Sequence, residues 1–151
     1  MKVIVPADIV KRTIEQIQIA GEKSRECMVL WLGARDGQSV TVRELLVPIQ
    51  RATRVSLDIP QNGVEKIFDE LRKRRYMIAA QVHSHPHDAF HSEADDCLAL
   101  PRHEGAISLV LPEFGRHTSL SSFLAESACY RLSRNDVWEE AHVRDNVEIM
   151  Y

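Results

Sequence analysis

The sequence predicts an α/β or α+β sandwich, a single mixed β-sheet flanked by two main helices. Three observations predict it. Cys27–Gly33, Tyr76–Val82 and Ile107–Leu111 are apolar runs of buried-strand length. Two stretches repeat apolar residues at or near helical spacing. An Asp-Gly pair stands between two strand-like runs, as in a hairpin. The 151 residues fit one compact domain over 1–151.

The elements follow in order. Pro6 and Ala7 open a first helix, in which Ile9, Ile14 and Ile17 lie near helical spacing and Gly21 is the expected stop. The run Cys27–Gly33 reads as a buried strand. Ala34–Gln38 carries the Asp36-Gly37 turn signal, and Ser39–Val47 returns as the second arm of the hairpin. Val55, Leu57 and Ile59 alternate with polar neighbours, which predicts a third strand. Val64, Ile67, Phe68 and Leu71 fall at i, i+3, i+4 and i+7 and form an amphipathic helix. The cations of Arg72–Arg75 suit the C-terminal end of its dipole. They are not read as a nucleic-acid patch, because no aromatic or further basic cluster accompanies them. Tyr76–Val82, Ile107–Leu111 and Ala128–Leu132 are further strands. The rest of the C-terminal third mixes apolar and charged residues and yields no assignment.

Composition narrows the function classes. A net charge of −3 argues against a chain built to grip nucleic acid or an anionic membrane surface. No window has the apolar length needed to span a bilayer. The run Val3–Val5 stops at Pro6 and Asp8, too short for a signal h-region. The three cysteines, Cys27, Cys97 and Cys129, make no CxxC pair, and their odd number suggests no disulfide framework. A reducing cytoplasm is therefore the expected compartment, with Cys27 and Cys97 packed as small hydrophobes.

The chemistry concentrates in Val82–Asp96, VHSHPHDAFHSEADD. His83 and His85 stand two residues apart at the end of a predicted strand, so their rings project from one face and can converge on one ion. Pro86 holds His85 extended and ends the strand. Ser92 reads as a helix N-cap, placing Asp95 in the first turn with its carboxylate pointing back over the strand end. Two histidines and one carboxylate leave a fourth position open on a tetrahedral metal, as catalytic zinc sites do. His87 and His91 read as rim residues. A zinc hydrolase also needs a base. Glu26 opens the strand Cys27–Gly33, yet nothing in its spacing places it beside His83.

Glu26 before a buried strand, then HSHP at 83–86, then SEAD at 92–95, resembles the JAMM (MPN-type) zinc metalloprotease family in its bacterial form. The resemblance runs from about Glu26 to Leu111. It implies an MPN/cytidine-deaminase-like sandwich, Glu26 as general base, His83, His85 and Asp95 as Zn2+ ligands, and Ser92 as a stabiliser of the oxyanion. The loop before Ser92 is one residue shorter than the family's usual length. Counting from His85 therefore selects Asp96, whereas counting from Ser92 selects Asp95. Asp95 is preferred, because a helix cap fixes direction more tightly than loop length does. The resemblance also implies hydrolysis of peptide or isopeptide bonds after the C-terminal glycine of a ubiquitin-like protein, in a bacterial conjugation or defence system. The substrate tail would lie extended along a sheet edge, with Glu113–Ser121 either lining that groove or forming an ordinary loop. A non-catalytic MPN scaffold is the alternative, weakened by the full set of ligands and base. A non-haem iron oxygenase would more naturally carry an HxD pair. No nucleic-acid or membrane partner is expected, and a homodimer is left open.

Overall fold

The computed structural model describes residues 1–92, 95 and 99–151. Strand β1 (Lys2–Pro6) leads into helix α1 (Ala7–Glu22), followed by β2 (Met28–Asp36) and β3 (Ser39–Leu46). A small ribbon, β4 (Arg51–Ala52) and β5 (Leu57–Asp58), precedes helix α2 (Gln61–Arg74) and strand β6 (Met77–Ser84). Strand β7 (Ile107–Leu111), a 3-10 turn (Glu113–Gly115), the short helix α3 (Phe123–Glu126), and strands β8 (Ala128–Leu132) and β9 (Trp138–Glu140) come next. A last turn of helix, α4 (Val143–Asn146), runs into β10 (Val147–Met150). The sheet order is β10-β1-β3-β2-β6-β7-β8-β9, mixed as expected. Among the described residues no helix is long and apolar enough to cross a membrane.

The two faces of β2 explain its uninterrupted apolar run. Val29 and Trp31 join the cluster built on Ile9, Val10, Ile14 and Ile17 of α1. Met28, Leu30 and Leu32 join Ile67 of α2 on the opposite face. A strand covered on both sides has no polar alternation to show. Trp31 Nε1 also donates to Thr13 Oγ1 at 2.9 Å, and Thr13 Oγ1 donates to the Ile9 carbonyl at 2.7 Å, which ties α1 to the sheet.

The β2–β6 pair carries a bulge that positions the site. Trp31 pairs with Ala80 and Leu32 with Ile78, which leaves Ala79 unpaired. The extra residue reverses the parity of the strand. Ile78 lies in the α2 cluster, whereas Ala80 and Val82 lie in the α1 cluster. Gln81 and His83 therefore face the α2 side, opposite Leu30 and Met28 respectively. Because β2 is antiparallel to β6 and β7 is parallel to it, the start of β2 and the ends of β6 and β7 meet at one end of the sheet.

Several sequence expectations are corrected. The strand expected through Val55, Leu57 and Ile59 is only the two-residue β5, paired with β4 apart from the main sheet. Helix α1 runs one residue past Gly21. That glycine is needed for close packing, since a Cβ there would sit 2.6 Å from Phe114 Cβ. On α2 only Gly63 and Ile67 are buried, and Phe68 stays 43% exposed. Strands β1, β9 and β10 were not anticipated. The hairpin closes as expected, with Asp36 opposite Ser39 and Gly37 at φ +61°.

Gly33 marks a second bulge, against β3, where a Cβ would sit 2.2 Å from the Thr41 carbonyl oxygen. Backbone cannot yield there as a flexible side chain would. Gly33→Ala is expected to destabilise the protein by about 1–3 kcal/mol. The expected readout is a lower midpoint of urea unfolding at unchanged slope.

Candidate metal centre

The backbone around the HSHP segment is held from both sides. The Ser84 amide donates to the Cys27 carbonyl at 3.1 Å, and the Cys27 amide donates to Ser84 Oγ at 3.0 Å. The His85 amide donates to the Leu111 carbonyl at 3.0 Å. Beyond the strand end, the amides of Phe114 and Glu113 donate to the carbonyls of His85 and His87 at 2.8 and 2.9 Å. Glu113 and Phe114 thus brace the ligand segment, and none of residues 113–121 is among the described residues lining the cleft.

Ser92 and Asp95 form a reciprocal cap. The Asp95 amide donates to Ser92 Oγ at 3.1 Å, and the Ser92 amide donates to Asp95 Oδ2 at 2.8 Å. This is the capping-box arrangement with Asp in the reaching-back position. It turns Asp95 Oδ2 toward the strand end, 3.0 Å from His85 Nε2 and 3.3 Å from His83 Nε2. Ligand atoms of His83, His85 and Asp95 all lie within 4.8 Å of one another. Asp96, the alternative ligand, and Cys97 lie outside the described residues.

A divalent ion fits this donor set. His83 is 3% exposed, and neither of its ring nitrogens has a hydrogen-bond partner, the 3.3 Å approach to Asp95 lacking hydrogen-bond geometry. A buried imidazole left in that state loses its hydration without compensation. A metal accepted by Nε2 removes the deficit at that nitrogen. Burial opposes ionisation of Asp95, but the two imidazoles and the Ser92 amide outweigh it and hold the carboxyl well below the usual range. Burial likewise opposes charge on His85, yet Asp95 and Glu26 prevail and raise its pKa. The centre therefore favours a positive charge among its ligands.

Glu26 reaches the same cleft from the start of β2. Its amide donates to the Thr53 carbonyl at 2.9 Å, and the residue is 7% exposed. Burial pushes its carboxyl up to about 7; His85 opposes the shift and Asp95 adds to it. The cleft, of about 360 Å³, brings together Glu26, His85, Ser92 and Asp95. Its apolar wall comes from Val55, Leu57 and Phe90; the sequence pointed to the first two only as strand residues and to none of the three as part of a site. Phe90 stands edge-on to His85 at 4.7 Å between ring centroids. His87 is exposed at the rim beside Arg54. His91, expected on the rim, is instead half-buried against His83, Tyr130 and Trp138. The buried Cys27 and Cys129 thiols, pushed up to about 11 and about 12, are protonated at neutral pH and offer no nucleophile.

Two buried imidazoles converging with a carboxylate, beside a second, proton-holding carboxyl in the adjoining cleft, form a donor set suited to a metal-dependent hydrolase. The model of the prokaryotic homologues of the JAB domain matches residues 8–122, and the chain belongs to that family. It is 33% identical over 142 residues to a probable metalloprotease, y4jG, of Sinorhizobium fredii, covering 91% of this chain and 86% of the relative. Together with the His–His–Asp centre this marks the chain as a metallopeptidase. The fold is similar to the solution structure of protein DSY2949 from Desulfitobacterium hafniense. The TM-score is 0.66 at 14% identity, over 98% of this chain and 92% of the other.

Burial of Glu26 has a consequence for the metal-free protein. Its folded pKa of about 7 lies above the ordinary 4.5, so the folded state binds more protons between those values and stability falls as pH rises through them. Glu26→Gln cannot ionise and escapes this loss. With chelator present, the variant is expected to match wild type near pH 4 and to exceed it above pH 7 by up to about 3 kcal/mol. Denaturant unfolding at the two pH values measures the difference, and equal gaps at both would remove the burial argument.

Proposed function

We propose that the protein is a zinc peptidase or isopeptidase that cuts after the C-terminal glycine of a ubiquitin-like protein, in a bacterial conjugation or defence setting. The observation that carries the hydrolytic part is the convergence of buried His83, His85 and Asp95 beside a carboxyl that retains its proton to about pH 7. Two nitrogens and one carboxylate oxygen suit zinc and leave room for substrate. A zinc ion held there supplies Lewis acidity, polarising the scissile carbonyl and acidifying water.

The side chains divide the remaining work. Glu26 takes the proton of the attacking water and passes it to the leaving amine, a role matched to a carboxyl poised near neutrality. Ser92 Oγ accepts from the Asp95 amide, so its own proton can be donated to the developing oxyanion. The wall of Val55, Leu57 and Phe90 keeps water off an extended tail. Strand β5 carries Leu57, the bend before it carries Val55, and the β4–β5 ribbon offers the adjacent edge.

One zinc per chain is expected by elemental analysis, lost in His83→Ala and Asp95→Ala and retained in Asp96→Ala. Glu26→Gln is expected to keep the zinc and lose about a hundred- to ten-thousand-fold in turnover. Zinc retained by Asp95→Ala but lost by Asp96→Ala would reassign the third ligand.

The substrate part has its own test. Glycine before the cut has no Cβ to meet the cleft wall. Replacing the terminal glycine of a ubiquitin-like fusion by a bulky residue is expected to slow cleavage strongly, with the cut located by mass spectrometry. Equal turnover of unrelated short peptides would leave a metallopeptidase without this substrate.

A further inference from the structure

Gln81 is a buried amide in the middle of the sheet, 1% exposed, two residues before His83 on the same strand face. Ser108, 0% exposed, is its direct partner on β7. Burying these polar groups costs free energy unless they are satisfied, and a core of aliphatic residues would avoid the cost. Their hydrogen bonds lead to the segment that carries Asp95. The Leu100 amide donates to Gln81 Oε1 at 3.2 Å. That bond fixes the amide orientation, because only the oxygen can accept. The Gln81 NH2 group therefore faces Ser108 and donates to its Oγ at 2.9 Å. Ser108 Oγ in turn shares a hydrogen bond with His91 Nε2 at 3.0 Å, the imidazole tautomer setting which of the two donates. His91 is the residue before the cap Ser92, and Leu100 follows Ala99, whose amide donates to the Asp95 carbonyl at 2.9 Å. The His91 ring lies 5.0 Å from Tyr130, 5.2 Å from Trp138 and 5.7 Å from His83 between centroids.

We infer that Gln81, Ser108 and His91 are positioning residues for the metal centre: through Leu100 and His91 they tie both sides of Asp95 to the strands beside His83. The inference rests on the metallopeptidase reading. The reciprocal bonds of Ser92 and Asp95 orient the Asp95 carboxylate relative to Ser92, but they do not place Asp95 on the sheet. The chain Leu100–Gln81–Ser108–His91 does, and it starts from the strand that carries His83. Hydrogen bonds of this kind, one step removed from the ligands, commonly change metal affinity by about ten- to a hundredfold.

Five proteins test it: wild type, Ser108→Ala, His91→Phe, the Ser108→Ala/His91→Phe double variant and His91→Gln. His91→Phe keeps a ring against Tyr130 and Trp138 but cannot hydrogen-bond Ser108 Oγ. His91→Gln places an amide oxygen near the position of Nε2 and can. Zinc affinity is measured by competition with a chromophoric chelator, the visible spectrum of the cobalt(II) form reports ligand geometry, and thermal unfolding of the metal-free proteins reports stability. Ser108→Ala and His91→Phe are expected to bind one zinc about ten- to a hundredfold more weakly, with altered cobalt bands. The double variant should lose less than the two single losses combined, because both remove the Ser108–His91 bond. His91→Gln should recover most of the affinity. Zinc affinity and cobalt bands unchanged in Ser108→Ala and His91→Phe, with only the metal-free stability lowered, would overturn the inference while leaving the metal centre intact. If His91→Phe fails to fold, Ser108→Ala decides alone, since it removes atoms from the core and touches no ligand. A wild-type protein that takes up no divalent metal would remove both this inference and the reading beneath it.

Discussion

The cleft depends on one unpaired residue. Without the bulge at Ala79, the parity that places Ile78 among the α2 cluster would carry Ala80, Val82 and Ser84 to the same side. His83 and Gln81 would then point into the α1 cluster, among Ile14, Ile17 and Val29, where neither a metal nor the Asp95 segment could reach them. One extra residue exchanges the two faces for the whole remainder of the strand. The antiparallel partner completes the effect. Met28 lies opposite His83, so Glu26, two residues earlier, arrives at the end of the sheet where the histidines emerge.

From that constraint the electrostatics follow. Asp95 Oδ2 is the focus of the site, bonded by the Ser92 amide and His85 Nε2 and lying 3.3 Å from His83 Nε2. At Glu26 burial dominates over the opposing His85, so its proton is retained to about pH 7. Two carboxyls in one cleft thus have their pKa values driven in opposite directions by the groups around them, the pattern that separates a charge holder from a proton carrier.

The parts legible in the sequence are those whose physics is local. The pair His83 and His85 on one face follows from the two-residue repeat of a strand, and the Ser92–Asp95 cap follows from spacing within one helical turn. Helix α2 was visible through its period, although that period overstated burial at Phe68. What was not legible depends on partners distant in the chain. The bulge at Ala79 is set by pairing with β2, and YMIAAQV reads equally well with or without it. The approach of Glu26 requires the contacts with Thr53 and the start of β2 that only the fold supplies. Strands β1 and β10 are short and pair with each other across the whole chain length, so neither stands out alone. Gln81 did carry a signal: an amide inside an otherwise apolar strand is costly unless something buried needs it, and that cost identifies the network to Ser108 and His91.

The same site holds several locally unfavourable features, and their clustering is informative. Glu113, Phe114 and Gly115 follow one another at φ +50°, +55° and +65°, a left-handed run that the two non-glycine residues adopt at a cost of order 1–3 kcal/mol each. His83 is buried with unpartnered nitrogens, and Glu26 is buried without a counter-charge strong enough to ionise it. A sequence selected for stability alone would remove all three. The turn instead donates two amides to the carbonyls flanking Pro86, and Phe114 is buried against Gly21 of α1, where no side chain larger than hydrogen leaves room. The apolar burial of α1 and the sheet offsets what the turn costs, and the gain is a fixed backbone for His85. The two buried groups, His83 and Glu26, lie where a metal and a substrate would relieve them, and the strained turn holds the backbone that carries one of the ligands; that is the physical distinction between a cleft built for chemistry and an imperfectly packed surface.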